Sequence, residues 1–109
     1  MNVTEQQLND YLVVSVEGRL DTNQSEGFEK KMMEILQQGH KKIILDCKGL
    51  NYISSSGLRI FLIMQKKMMG TGGTFKVASM QPGIKEVFDM SGFSMIFNIF
   101  NDLDSALKD

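Results

Sequence analysis

Residues 42–70 read KIILDCKGLNYISSSGLRIFLIMQKKMMG, and the order of patterns within them decides the fold. The run 42–47 is short and almost continuously apolar, as expected of a strand buried on both faces. The run 57–69 has the length and composition of a helix, and Gly70 supplies its stop. Three consecutive serines, Ser54, Ser55 and Ser56, stand at the turn into that helix. Strand, turn and helix in this order predict one crossover unit of a parallel sheet.

The flanking sequence extends the pattern. Residues 3–8 form a polar strand, Asn9 and Asp10 a tight turn, and 11–17 (YLVVSVE) a β-branched strand with Leu12, Val14 and Val16 on one face. Together they predict an N-terminal hairpin. Gly18, Arg19, Leu20 and Asp21 then lead into a helix. Asp21, Thr22 and Asn23 are all suitable caps, and Asn23 with Glu26 has capping-box spacing. Phe28, Met32, Ile35 and Leu36 make one apolar stripe, and Gly39 ends it. Downstream, 74–78 alternates like a strand, and Pro82 opens a helix carrying Ile84, Val87 and Phe88. Residues 95–100 read as a strand, and Asn101 or Asp102 caps a last helix with Leu103, Ala106 and Leu107. The expected architecture is a single α/β domain over 1–109: a mixed, mostly parallel sheet with an N-terminal hairpin and about four helices.

Composition excludes several classes of function. With 109 residues and a net charge of −1, the chain lacks the basic stripe of a nucleic-acid binder. Cys47 is the only cysteine and His40 the only histidine, so a His/Cys zinc site is excluded and a reducing, cytoplasmic setting is expected. The opening MNVTEQQLND lacks a signal-peptide pattern, and the longest apolar run is far short of the roughly 20 residues that span a bilayer. No cofactor and no membrane partner are expected.

The serine triplet carries the chemical information. Serine is a preferred N-cap, so one of the three satisfies the helix end. A helix N-terminus also favours an anion, and a phosphoserine there adds about −1.5 to −2 charges with little local destabilisation. A serine hydrolase fits less well. Ser55 with Gly57 supplies Ser-x-Gly, but Ile53 stands where a nucleophile elbow needs glycine. His40, the one available imidazole, sits in a polar turn beside Lys41 and Lys42.

Four segments, taken in order, resemble the STAS domain of bacterial anti-sigma factor antagonists. They are Gly18-Arg19-Leu20-Asp21, Ile43-Ile44-Leu45-Asp46, the segment 52–59 (YISSSGLR), and 87–93 (VFDMSGF). The resemblance covers about 3–107. It implies a regulatory protein and not an enzyme. The implied partner is an anti-sigma factor serine kinase, bound in the unphosphorylated state so that the sigma factor is released. Phosphorylation then ends the binding, and a PP2C-type phosphatase resets it. Alignment on Gly57 and Leu58 places the family's acceptor at Ser55, with Ser54 and Ser56 as alternatives. It places partner contacts at Asp21, Ser54, Ser55, Ser56, Gly57 and Arg59. The sequence departs from the family pattern at Ser54, where the family carries Asp. The same resemblance admits a STAS subunit of a lipid-transport, stressosome or other assembly without a phosphorylation cycle. It implies a monomer when free.

The remaining features have structural readings. Most of the nine methionines are expected to fill the core, with only one of Met68 and Met69 buried, because neighbours on a helix point about 100° apart, and the other is open to a partner surface. The Gly70-Thr71-Gly72-Gly73 turn precedes a strand and so is a helix stop, not a phosphate loop. Cys47 is expected to be an inert buried thiol, and Lys66 and Lys67 a solvated face.

Overall fold

A computed structural model describes residues 1–108. Its elements are β1 (Asn2–Leu8), β2 (Tyr11–Leu20), α1 (Thr22–Gln37), β3 (Lys42–Asp46), β4 (Leu50–Ile53), α2 (Ser55–Gly70), β5 (Thr74–Ala78), α3 (Pro82–Met90), a 3₁₀ turn (Phe93–Met95), β6 (Asn98–Phe100) and α4 (Leu103–Leu107). The sheet runs β1-β2-β3-β5-β6, and β4 pairs separately with β2. Only β1–β2 is antiparallel; the other pairings are parallel.

The two faces of the central strands feed two cores, as the period of two requires. Leu12, Val14, Val16, Ile43, Leu45 and Val77 face α1, α2 and α3. Tyr11, Val13, Ile44 and Ala78 face α4 through Ala106. Phe61 packs in the larger core with ring centroids 6.0 Å from Phe28, 5.8 Å from Phe88 and 6.5 Å from Phe97. Met64 and Met68 are buried while Met69 is 67% exposed, as the helical phase of the pair requires. Cys47 is buried, and burial, helped by the Asp46 charge, pushes its thiol well above the usual range. It is therefore neutral and unreactive at ordinary pH.

Four local expectations need correction. β2 does not stop at Glu17 but continues to Leu20, past a register shift at Gly18, whose φ of 102° suits glycine. That extension pairs with β4, a four-residue strand the sequence pattern does not announce. The capping box at Asn23 and Glu26 does not form, because Asp21 caps α1 two residues earlier by accepting from the Gln24 N–H at 3.0 Å. The last strand spans only Asn98–Phe100. Gly92 in the left-handed region turns the chain into the 3₁₀ segment, and Gln65 Nε2 holds the Ile96 carbonyl at 2.9 Å.

Candidate functional site

The C-terminal ends of β2 and β4 meet the N-termini of α1 and α2 at one edge of the sheet. This is where open α/β sheets place their sites. β4 delivers the chain to this edge, and Ser54 ends it in extended backbone. Ser54 is fixed from both sides. Its N–H and its Oγ–H donate to the Leu20 carbonyl at 2.9 and 3.0 Å, and its Oγ accepts from the Gly57 N–H at 3.2 Å. It is therefore the N-cap of α2, and it ties that helix to the end of β2.

Ser56 lies inside a hydroxyl chain. Its Oγ is 3.0 Å from Ser54 Oγ and 2.8 Å from Ser25 Oγ, and Ser25 Oγ donates to the Asp21 carbonyl at 2.8 Å. Ser54 spends its hydroxyl proton on Leu20 and Ser25 spends its own on Asp21. Ser56 then has one proton for two neighbouring oxygens.

Ser55, the first residue of α2, differs from both neighbours. It is exposed, and its hydroxyl has no partner among the described residues. The N–H groups of Ser55 and Ser56 likewise have no acceptor there, as expected of a first helical turn. No acidic residue stands in that turn to compete for them. The three serines thus separate into a cap, a bridge to α1 and a free hydroxyl at the positive end of a sixteen-residue helix.

Gly57 explains how the edge is packed. A Cβ there would lie 2.7 Å from Leu20 Cγ and 3.2 Å from Ile53 Cγ1, so only glycine lets α2 approach β2 and β4 this closely. Asp21 enters the junction by its backbone, while its side chain caps α1. Arg59 points along the surface to Glu29 on α1, Nη2 to Oε1 3.0 Å, and not toward the serines. His40 precedes β3 and contacts Gln38 Oε1 at 3.1 Å. It lies at the opposite end of the parallel strands from Ser55, so it cannot serve as the serine's base.

Two members of the junction escape a sequence reading. Ser25 was readable in part, since it falls in phase with the buried stripe of Phe28, Met32 and Ile35. The Arg19 guanidinium lies 4.3 Å from the Tyr52 ring centre and adds an exposed cation–aromatic pair to the same edge. Among the described residues no group of three or more His, Cys, Asp or Glu could hold a metal, and no helix is long and apolar enough to cross a membrane.

Comparison with known proteins gives one consistent picture. The STAS domain family model matches residues 2–106. BtrV of Bordetella bronchiseptica is 29% identical over 106 residues, covering 97% of this chain and 91% of that protein. The anti-sigma F factor antagonist of Paenibacillus polymyxa is 31% identical over 99 residues, covering 90% and 85%. The crystal structure of an anti-sigma factor antagonist from Mycobacterium paratuberculosis superposes with a TM-score of 0.90 at 22% identity, covering 97% and 90%.

Proposed function

The chain belongs to the STAS domain family, and from that premise we propose that it is an anti-sigma factor antagonist switched at Ser55. In its unmodified state it binds an anti-sigma factor through the edge built by Asp21, Ser54, Ser55, Ser56, Gly57 and Arg59, and so frees a sigma factor. The anti-sigma factor is a serine kinase that phosphorylates the Ser55 hydroxyl, and a PP2C-type phosphatase reverses the step.

The observation that carries this reading is the division of labour among the serines. Ser54 and Ser56 are held by hydrogen bonds, whereas the Ser55 hydroxyl is exposed and free among the described residues. A phosphate at the first helical position meets unpaired N–H groups and the positive helix end, so the fold tolerates it. It would take the net charge from −1 to roughly −3 and place that charge on the docking edge. Calorimetric titration with the cognate anti-sigma factor tests the reading. Ser55→Ala is expected to bind like the wild type, and Ser55→Glu at least about tenfold more weakly. Equal affinities for all three would refute it.

One observation favours a second reading. Ser54 stands where the family pattern has an acid, which suits a STAS subunit of a lipid-transport or stressosome-like assembly without a phosphorylation cycle. Ser54 makes the cap bond an aspartate would make, so the departure leaves the fold unaffected. Co-purification separates the two readings: a serine kinase supports the first, a permease or transport ATPase the second.

A further inference from the structure

α1 and α2 lie side by side and are bridged along their seam. Ser25 Oγ is 2.8 Å from Ser56 Oγ, the Phe28 and Phe61 ring centres are 6.0 Å apart, and Glu29 Oε1 accepts from Arg59 Nη2 at 3.0 Å. Ser25, Phe28 and Phe61 are buried. The last bridge is open to water, with the Arg59 side chain 58% exposed and that of Glu29 34%. An exposed ion pair made through one nitrogen and one oxygen adds little to the fold. Arg59 is therefore a cation held by a weak partner.

The position of Arg59 on α2 offers it another. It follows Ser55 by four residues, so the two share one face of the helix, with Cβ atoms about 5–6 Å apart. Both are exposed, whereas Leu58, the neighbour three residues after Ser55, is buried. Helical side chains lean toward the N-terminus, which here is the direction of Ser55. Rotation of the Arg59 side chain through solvent carries its guanidinium from Glu29 to a group on Ser55 and leaves both helices in place. The other guanidinium of this edge is turned away. Leu20 faces the core beneath α2, so its strand neighbour Arg19 points to the opposite face of the sheet, where it lies 4.3 Å from the Tyr52 ring centre.

The neutral Ser55 hydroxyl does not compete with Glu29 for Arg59. A phosphoryl group does: it brings about −1.5 to −2 charges and three acceptor oxygens that match the guanidinium fork. On the reading that Ser55 is the modified residue, we propose that Arg59 is the receptor of its phosphoryl group. Arg59 leaves Glu29 and pairs with the phosphoryl oxygens one turn above it on the same helix face. Phosphorylation then alters the edge beyond adding an anion. It withdraws the Arg59 cation from the partner and uncovers the Glu29 carboxylate on α1. The seam keeps its buried contacts, so the switch works by charge with the backbone unmoved.

Phosphorus NMR tests this on the full chain with phosphoserine placed at position 55 during translation, so that no kinase takes part. At low salt, where exposed pairs are least screened, the second ionisation of the phosphate is followed against pH. The wild-type phosphate is expected to titrate about half a pH unit below that of Arg59→Gln, because a guanidinium in contact favours the dianion. Arg59→Lys is expected to recover part of the difference, as a point charge without the fork. Arg19→Gln is expected to titrate like the wild type. The Arg59 Nε–H resonance is expected to move when the phosphate is present and to return when alkaline phosphatase removes it. Equal titration of wild type and Arg59→Gln overturns the pairing, as does an Arg59 Nε–H resonance indifferent to the phosphate. A larger effect of Arg19→Gln than of Arg59→Gln overturns the choice of receptor. Since the phosphate is placed without a kinase, these results are independent of which residue a kinase modifies, and a failure here is distinct from a failure of Ser55 as the acceptor.

Discussion

Gly57→Ala probes the packing that positions the serine edge, and its cost can be worked from three distances. The added Cβ would lie 2.7 Å from Leu20 Cγ, 2.8 Å from Leu20 Cδ2 and 3.2 Å from Ile53 Cγ1. Carbon atoms in contact sit about 3.5–4.0 Å apart, so Leu20 must retreat by roughly 1 Å. Leu20 is fully buried and Ile53 nearly so, and neither can swing into solvent. Overpacking of this kind costs about 1–3 kcal/mol. Alanine returns at most about 1 kcal/mol in helix propensity, and less in a first turn. The expected net loss is therefore about 1–2 kcal/mol, or roughly 5–10 °C in Tm for a domain of this size. Gly27→Ala is the control. It lies inside α1 with nothing within 4 Å of the new methyl, so a gain of about 0.5–1 kcal/mol is expected. Urea titration followed by far-UV circular dichroism at low micromolar concentration reads both, since the chain has no tryptophan. Gly57→Ala at or above wild-type stability would refute the claim that α2 is seated by this contact.

Three further outcomes follow from other contacts. Ser54→Ala removes the α2 cap and the tie to Leu20 and is expected to cost about 1–2 kcal/mol in the same titration, while Ser54→Asp keeps the cap and costs less. Lys76 is buried, and its ammonium donates to the Ala106 carbonyl at 2.7 Å and the Lys108 carbonyl at 3.2 Å. Lys76→Met is expected to loosen α4 by about 1.5–3 kcal/mol, read as faster amide exchange in α4 with β3 unaffected. Asp102 caps α4, and its carboxyl is held below the ordinary value, first by the Ser105 backbone amide and then by its hydroxyl. A lowered folded value means stabilisation that is present above the unfolded pKa and lost as pH falls through the folded one. Protection of the Ser105 amide, relative to its intrinsic exchange rate, is thus expected to fall below about pH 4, and Asp102→Asn to abolish that dependence.

The parts of the fold legible in the sequence are those set by local pattern. The run at 42–47 and the alternation at 74–78 locate β3 and β5, because burial on both faces leaves little else those residues could form. Gly39 and Pro82 mark helix ends by backbone chemistry alone, whereas α2 runs through Gly70 and is ended by the left-handed Gly72. What stayed hidden depends on partners distant in sequence. β4 has four residues, two of them exposed, and it is a strand only because the far end of β2 receives it. The alternation of β5 does not announce that Lys76 is buried. Its Nζ lies 4.7 Å from the Tyr11 ring centre and 4.9 Å from that of Phe100, at the end of α4. The serine triplet was visible as a helix start. Its separation into cap, bridge and free hydroxyl was not, because Leu20 and Ser25 impose it from about thirty residues away.

Phosphopeptide mapping after incubation with the cognate anti-sigma factor kinase and ATP decides whether Ser55 is the switch. A single phosphate on Ser55 is expected, absent from Ser55→Ala. A phosphate on Ser54 or Ser56, or none on the wild type while the kinase modifies another antagonist, would contradict it.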